Sequence, residues 1–104
     1  GRSSFQSPAY CAVKMIQAAM GGEKFTLPAG CYVNNDKLGF KNVMMAMPTT
    51  IDKSGVHFVD PTGTKEEIAS LQTSYEHLCK MRDEIVSLGI VPAVSEWSKM
   101  NPNI

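Results

Sequence analysis

The cysteines and histidines of this 104-residue chain, Cys11, Cys31, Cys79, His57 and His77, are candidates for a nucleophile, a general base or a soft metal ligand. The cysteines are odd in number, widely spaced and without the close pairs that metal sites use, so neither zinc nor a disulfide framework is expected. They read as small apolar core residues of a reduced, cytoplasmic protein. His57 lies far from every Cys in sequence, and His77 is two residues from Cys79, a spacing that does not face the two on a helix, so a Cys/His nucleophile would need the fold to bring a pair together. No Gly-x-Gly-x-x-Gly follows a strand pattern, and Gly21-Gly22 falls at a helix end, so the chain has no dinucleotide-binding crossover unit. Lys+Arg and Asp+Glu are balanced at 10 each, which leaves no electrostatic footprint for nucleic acid or an anionic membrane. No apolar run is long enough to span a bilayer, and there is no signal-peptide pattern.

Around these residues the pattern predicts an α+β domain. Ser7 is placed to cap a helix with Pro8 at its first position, and Gly21-Gly22 to end it. From Pro8 to Met20 only Lys14 and Gln17 are strongly polar, so this short helix is apolar around most of its circumference. Either the sheet and the second helix cover both flanks, or one flank meets a surface missing from this chain. On the second reading Ala12, Met15 and Ala19 form an interface, with Lys14 and Gln17 nearer solvent. Strands are expected over Ala29 to Val33, Asn42 to Met47, Thr49 to Asp52 and Val56 to Val59, with Pro48 interrupting the ladder and Lys53-Ser54 turning it. The result is a small antiparallel meander, its core rich in thioethers from Met15, Met20, Met44, Met45 and Met47.

Thr64-Lys65-Glu66-Glu67 is a capping box that opens a long amphipathic helix from Lys65 to Leu88. Its apolar stripe is expected to run through Ile68, Leu71, Tyr75, Leu78, Met81, Ile85 and Leu88, leaving Glu76 and Arg82 as surface charges. Gly89 suits a left-handed cap, with Ile90 packing back on Ile85. Past Pro92, residues Ala93 to Met100 have room for two helical turns anchored by Trp97, packed on this domain, on a missing one or on a second subunit.

Two stretches carry a family likeness. Gly39 to Val56 has an aromatic-Lys-polar-aliphatic strand that runs through Pro48 and a short strand into Asp-Lys-Ser-Gly-Val, and Gly1 to Ala9 reads Gly-Arg-Ser-Ser-Phe-Gln-Ser-Pro-Ala. Together they resemble the C-terminal half of the catalytic domain in the lactate/malate dehydrogenase family, on the malate side. The likeness is specific from Gly1 to about Val59, holds as a pattern of elements to Leu88, and places nothing beyond Gly89. It implies a core over 1–89 with an extension at 90–104, and an NAD-binding domain that this chain lacks. Gly1 to Ala9 aligns without gaps on the family's small-residue turn facing nicotinamide and substrate, with Arg2 where a small residue is usual. Ser3 then falls on the serine that meets the nicotinamide carboxamide, and Ser4 on the small residue that lines the substrate pocket. The residues alone leave both serines open to a simple turn and cap role.

The function implied by the resemblance is reversible NAD-dependent oxidation of malate to oxaloacetate by a cytoplasmic homo-oligomer of the tricarboxylic acid cycle. NAD is held mainly by the missing domain, and no metal is implied. The family's catalytic His and carboxylate-binding Arg residues would lie upstream of Gly1, since His57 and His77 match neither. The chain therefore reads as an excised fragment, inactive alone, that supplies a pocket wall and an interface. A lactate-type or other 2-hydroxy acid dehydrogenase would share this half. A free-standing interaction module, docking through the apolar helix without NAD, is the alternative of another class.

Overall fold

The structure is a computed structural model that describes residues 4–104. It is α+β: a three-stranded antiparallel sheet in the order β1-β2-β3, with three helices. The elements run α1 (Gln6–Ala19), β1 (Phe25–Asn35), β2 (Phe40–Asp52), β3 (Gly55–Phe58), α2 (Lys65–Ser87) and α3 (Val94–Met100). They divide into two units, one of Gly1–Ala29 with Met47–Asp60, the other of Gly30–Ala46 with Pro61–Ile104. Among the described residues no helix is long and apolar enough to cross a membrane.

In the first unit α1 starts earlier than Ser7-Pro8 predicts. Phe5 holds the cap position without a side-chain bond, and the Ala9 amide donates to the Phe5 carbonyl at 3.1 Å. Ser7 is therefore a helical residue and not the cap. Pro8, third in the helix, still lies within the first turn, where no amide hydrogen is needed. The far end closes as the two glycines predict. Gly22 N–H donates to the Gln17 carbonyl at 2.8 Å and Gly21 N–H to that of Ala18 at 3.1 Å, a Schellman pair that requires Gly21 at φ +93°.

The core here is small. Ala18, Phe25 and Ile51 are buried together, with Met15 and Ala29 packed against them. At 100° per residue, Phe5, Val13, Ile16 and Met20 fall within roughly 80° of one another on the side of α1 opposite Ala18. All four are exposed, as is Tyr10 beside them. Ala12 and Ala19 are exposed, Met15 is half-buried against the cluster, and Lys14 is half-buried on the inner side. Gln17 is exposed as expected, whereas Lys14 is not, because its position in the helical turn lies between Tyr10 and Ala18.

The strands differ from expectation in two places. β1 begins at Phe25, four residues before Ala29, and carries Pro28, which an edge strand tolerates. β2 runs unbroken through Pro48, so the predicted interruption does not occur. Its pairing with β3 is antiparallel, Thr49 opposite Phe58 through Asp52 opposite Gly55. The Pro48 carbonyl accepts from Val59 N–H at 2.9 Å, just beyond the last residue of β3. In an antiparallel ladder the N–H and C=O of one residue point to the same neighbour. The amide hydrogen that Pro48 lacks would thus have pointed past the end of β3, where the ladder stops.

Burial in β2 alternates cleanly from Val43 through Met45 to Met47, but in the second unit's part of the strand Phe40 breaks the phase and is 1% exposed. The slip falls at Lys41-Asn42, where Asn42 has φ +55°. One extra residue and a left-handed backbone are the marks of a β-bulge. Against this stretch lies α2. Its capping box forms as predicted: Glu67 N–H donates to Thr64 Oγ1 at 3.2 Å, and Thr64 N–H to Glu67 Oε2 at 2.8 Å. The left-handed cap at its C-terminus also forms as predicted, with Gly89 at φ +71° and Ile90 N–H donating to the Ile85 carbonyl at 3.1 Å, but the Ile90 side chain is exposed.

The apolar stripe of α2 holds through Ile68, Leu71, Tyr75 and Leu78, all half-buried, and then changes. Met81, Ile85 and Leu88 are exposed, while Cys79, Arg82 and Val86 are half-buried. Helical geometry accounts for this, because at 100° per residue Met81 and Leu88 lie more than about 100° from the mean direction of the first four, and Arg82 lies within it. Arg82 is therefore not the surface charge expected, whereas Glu76 is exposed. In α3, Trp97 donates its indole N–H to the Pro92 carbonyl at 2.8 Å, and its ring is tilted on that of Tyr32 at 6.3 Å. Trp97 is thus anchored within this unit.

Candidate functional site

Of the two serines singled out by the sequence, Ser3 lies outside the described residues. Ser4 is exposed in the irregular segment leading into α1, two residues before the helix begins. The positions Ala12, Met15 and Ala19 come together on one flank of α1, with Met15 turned partly into the core. The chemistry-bearing residues do not converge. Cys11 is on α1, Cys31 on β1 and Cys79 on α2, and none of the three is in a disulfide. Among the described residues no three His, Cys, Asp or Glu side chains lie together as a metal site requires.

One polar constellation at the β2–β3 turn escaped the sequence reading, which treated Asp52-Lys53-Ser54-Gly55 only as a reversal. Ser54 donates to Asp52 Oδ1 from both its amide, at 2.8 Å, and its hydroxyl, at 2.5 Å. The same Oγ lies 2.8 Å from His57 Nε2. Lys24 Nζ is 3.6 Å from Asp52 Oδ2. Serine, histidine and aspartate are all present, but in the wrong order for acyl transfer. A nucleophilic serine needs its proton drawn by the imidazole, with the carboxylate on the imidazole's other nitrogen. Here the carboxylate accepts from the serine itself, and the His is exposed. The arrangement holds a turn. Its electrostatic consequence is on Asp52, which the Ser54 hydroxyl and amide, and less strongly His57 and Lys24, hold below the usual carboxylate range against some desolvation.

The second constellation surrounds the bulge. Tyr75 Oη accepts from Lys41 N–H at 3.1 Å, and Arg82 donates through one terminal nitrogen to the carbonyls of Lys41 and Asn42 at 3.1 and 3.2 Å. Tyr32 donates to Asn42 Oδ1. Three side chains thereby satisfy the backbone and side-chain groups that the irregularity removes from the ladder. The ring of Tyr75 stacks on Phe40 with centroids 4.6 Å apart. Its phenol is held above the usual tyrosine range, first by its hydrogen bond with the Cys79 thiol and then by burial. Burial opposes the charge on Arg82, yet its bond to Asp83 and the proximity of Cys79 and Tyr75 leave the guanidinium more firmly protonated than usual. With its Nε and second terminal nitrogen on Asp83 at 2.8 Å, Arg82 is committed to structure.

Two clefts of about 330 Å³ each lie in the two units. One is lined by Tyr10, Cys11 and Lys14 of α1, by Glu23 and Lys24, and by the start of β1. The other is lined mainly by apolar side chains, among them Met44, Leu78, Met81, Ile85 and Trp97. No model of a known protein family matches this sequence.

Proposed function

We propose that this chain forms the C-terminal part of the catalytic domain of an NAD-dependent malate dehydrogenase, a cytoplasmic homo-oligomer that interconverts malate and oxaloacetate. The observation that carries the reading is the pattern of Gly1 to Val59, which resembles the malate branch of the lactate/malate dehydrogenase family. The α+β architecture with an antiparallel meander and a long helix is compatible with it. Exposure of Ser4 beside the start of α1 leaves its side chain available as a wall of the substrate pocket. In this proposal NAD, when bound, takes the hydride from the malate C2 carbon. This chain contributes no acid or base: Ser3 orients the nicotinamide carboxamide, and Ser4 limits the space beside the substrate.

The test is steady-state kinetics of the full-length enzyme containing this chain. Ser4→Leu should raise the KM for oxaloacetate at least about tenfold, comparable with the loss from a misfitted side chain in a pocket, and raise that for NADH much less. Equal effects on the two constants would remove Ser4 from the pocket. Failure of the purified full-length protein to oxidise NADH with oxaloacetate would remove the activity itself.

A second reading rests on the outward stripe of α1, Phe5, Val13, Ile16 and Met20, which is a large exposed apolar surface for a small protein. In the dehydrogenase this stripe, with Ala12, Met15 and Ala19, meets the NAD-binding domain or another subunit. In an interaction module it docks a partner without NAD. Absence of NADH binding in the full-length protein would favour the module.

A further inference from the structure

Lys14 is the least expected charge in the molecule. It lies on the inner side of α1, half-buried, with its Nζ 5.6 Å from the centroid of the Tyr10 ring. Lysine is seldom buried completely without a charged partner, and half-burial already removes part of its hydration. Among the described residues no ion pair involves Lys14; a cation-π contact at such a position is worth only about 0.5–1 kcal/mol. The side chain also lines the cleft of about 330 Å³ in the first unit, at the small end of the range for ligand sites.

The rest of the cleft lining defines what would answer Lys14. Lys24 is a second ammonium in the lining, paired with Asp52 only at 3.6 Å and with most of its side chain exposed. A lysine has three donors, so Lys24 retains capacity for an anion. Glu23, also in the lining, keeps the local excess of positive charge small and disfavours a multiply charged guest. The remaining lining is Tyr10, Cys11, Phe25, Thr26 and Leu27; Phe25 is buried at its base, and the exposed Tyr10 and Leu27 provide apolar surface for a flat or branched body.

We propose that the cleft between α1 and the start of β1 binds a small monocarboxylate with an aromatic or branched aliphatic body, its carboxylate on Lys14 and Lys24 and its body against Tyr10, Phe25 and Leu27. The site depends on none of the residues assigned to malate oxidation, so it stands or falls separately from that function.

The probe is 3-phenylpropionate, titrated into the ¹⁵N-labelled protein while amide shifts are followed. Saturable shifts should concentrate at Tyr10, Phe25 and Leu27. The neutral amide 3-phenylpropanamide should bind about tenfold more weakly or worse, the equivalent of about 1.4 kcal/mol. Lys14→Gln should weaken the acid by a similar factor, and Lys14→Arg should restore most of it. Inorganic phosphate, which has charge but no body, should compete poorly. Equal binding of acid and amide, or shifts that do not saturate or spread over the surface, would overturn the site. So would inorganic phosphate competing as well as the acid, which would reduce the site to two lysines attracting any anion. If Lys14→Gln fails to fold, the comparison of acid with amide on the unaltered protein still decides.

Discussion

The two longer helices pack by opposite means. α1 is apolar on most sides, yet it buries only Ala18 and leaves Phe5, Val13, Ile16 and Met20 in solvent. α2 is much more polar and buries no residue fully, but two of its side chains, Tyr75 and Arg82, hold the backbone of β2 by hydrogen bonds. Apolar content therefore does not measure how firmly a helix is placed. Hydrophobic contact gives α1 a side to face without fixing its position along the strand, whereas the α2 bonds each specify one backbone atom.

The contrast can be broken most forcefully at Phe40. Its ring is almost wholly buried and stacked on Tyr75, so Phe40→Ala removes both the packing and the platform on which α2 rests. Denaturant unfolding should show a loss of about 3–5 kcal/mol. A loss under about 1 kcal/mol would mean that Phe40 does not organise the second unit.

Arg82→Met should come next. It keeps much of the aliphatic bulk but leaves the carbonyls of Lys41 and Asn42 without their donor, at a cost of about 1–3 kcal/mol. Hydrogen exchange supplies the local signature, with faster exchange expected at the Lys41 amide than at amides of α1. Uniform acceleration across the chain would assign Arg82 to general stability and not to the bulge.

Acid provides the mildest probe, and it acts in the first unit. The carboxyl of Asp52 titrates below its usual range in the folded state, so its contribution is present above the unfolded value of about 3.9 and is lost as pH falls through the folded value. The urea midpoint of the parent protein should drop between pH 5 and pH 2 by more than that of Asp52→Asn. Parallel losses in the two proteins would show that the turn contributes nothing to acid sensitivity.

These differences also explain which parts of the fold were legible beforehand. The capping box at Thr64, the glycine closures after α1 and α2, and the turn at Lys53-Ser54 are local: each is satisfied by residues within a few positions and so leaves a readable mark. The continuity of β2 through Pro48 depends on where β3 stops, which no window around Pro48 contains. The inward turn of Arg82 depends on carbonyls 40 and 41 residues away, bared by a bulge at Asn42. At the candidate site Ser4 carried its meaning only through resemblance. Lys14 looked like a solvent contact on a helix apolar nearly all round, because composition cannot say which side of such a helix faces in.

The bulge at Asn42 also makes β2 behave like a reading frame. Downstream of it, Val43, Met45, Met47, Thr49 and Ile51 are the buried phase; upstream, Phe40 belongs to the other parity. Loss of a single codon between Phe40 and Val43 would leave the two at a spacing of two, so that Phe40 would join the buried phase by plain alternation, with no bulge for Arg82 and Tyr75 to hold. Keeping all the residues but flattening the bulge would be the damaging change, since a one-residue slip exchanges the faces of a strand and would present either the Phe40 ring or the downstream row to the wrong side. The identity of residue 42 matters for the same reason: a β-branched side chain resists the left-handed backbone that Asn42 adopts and would favour the flat strand with the wrong phase.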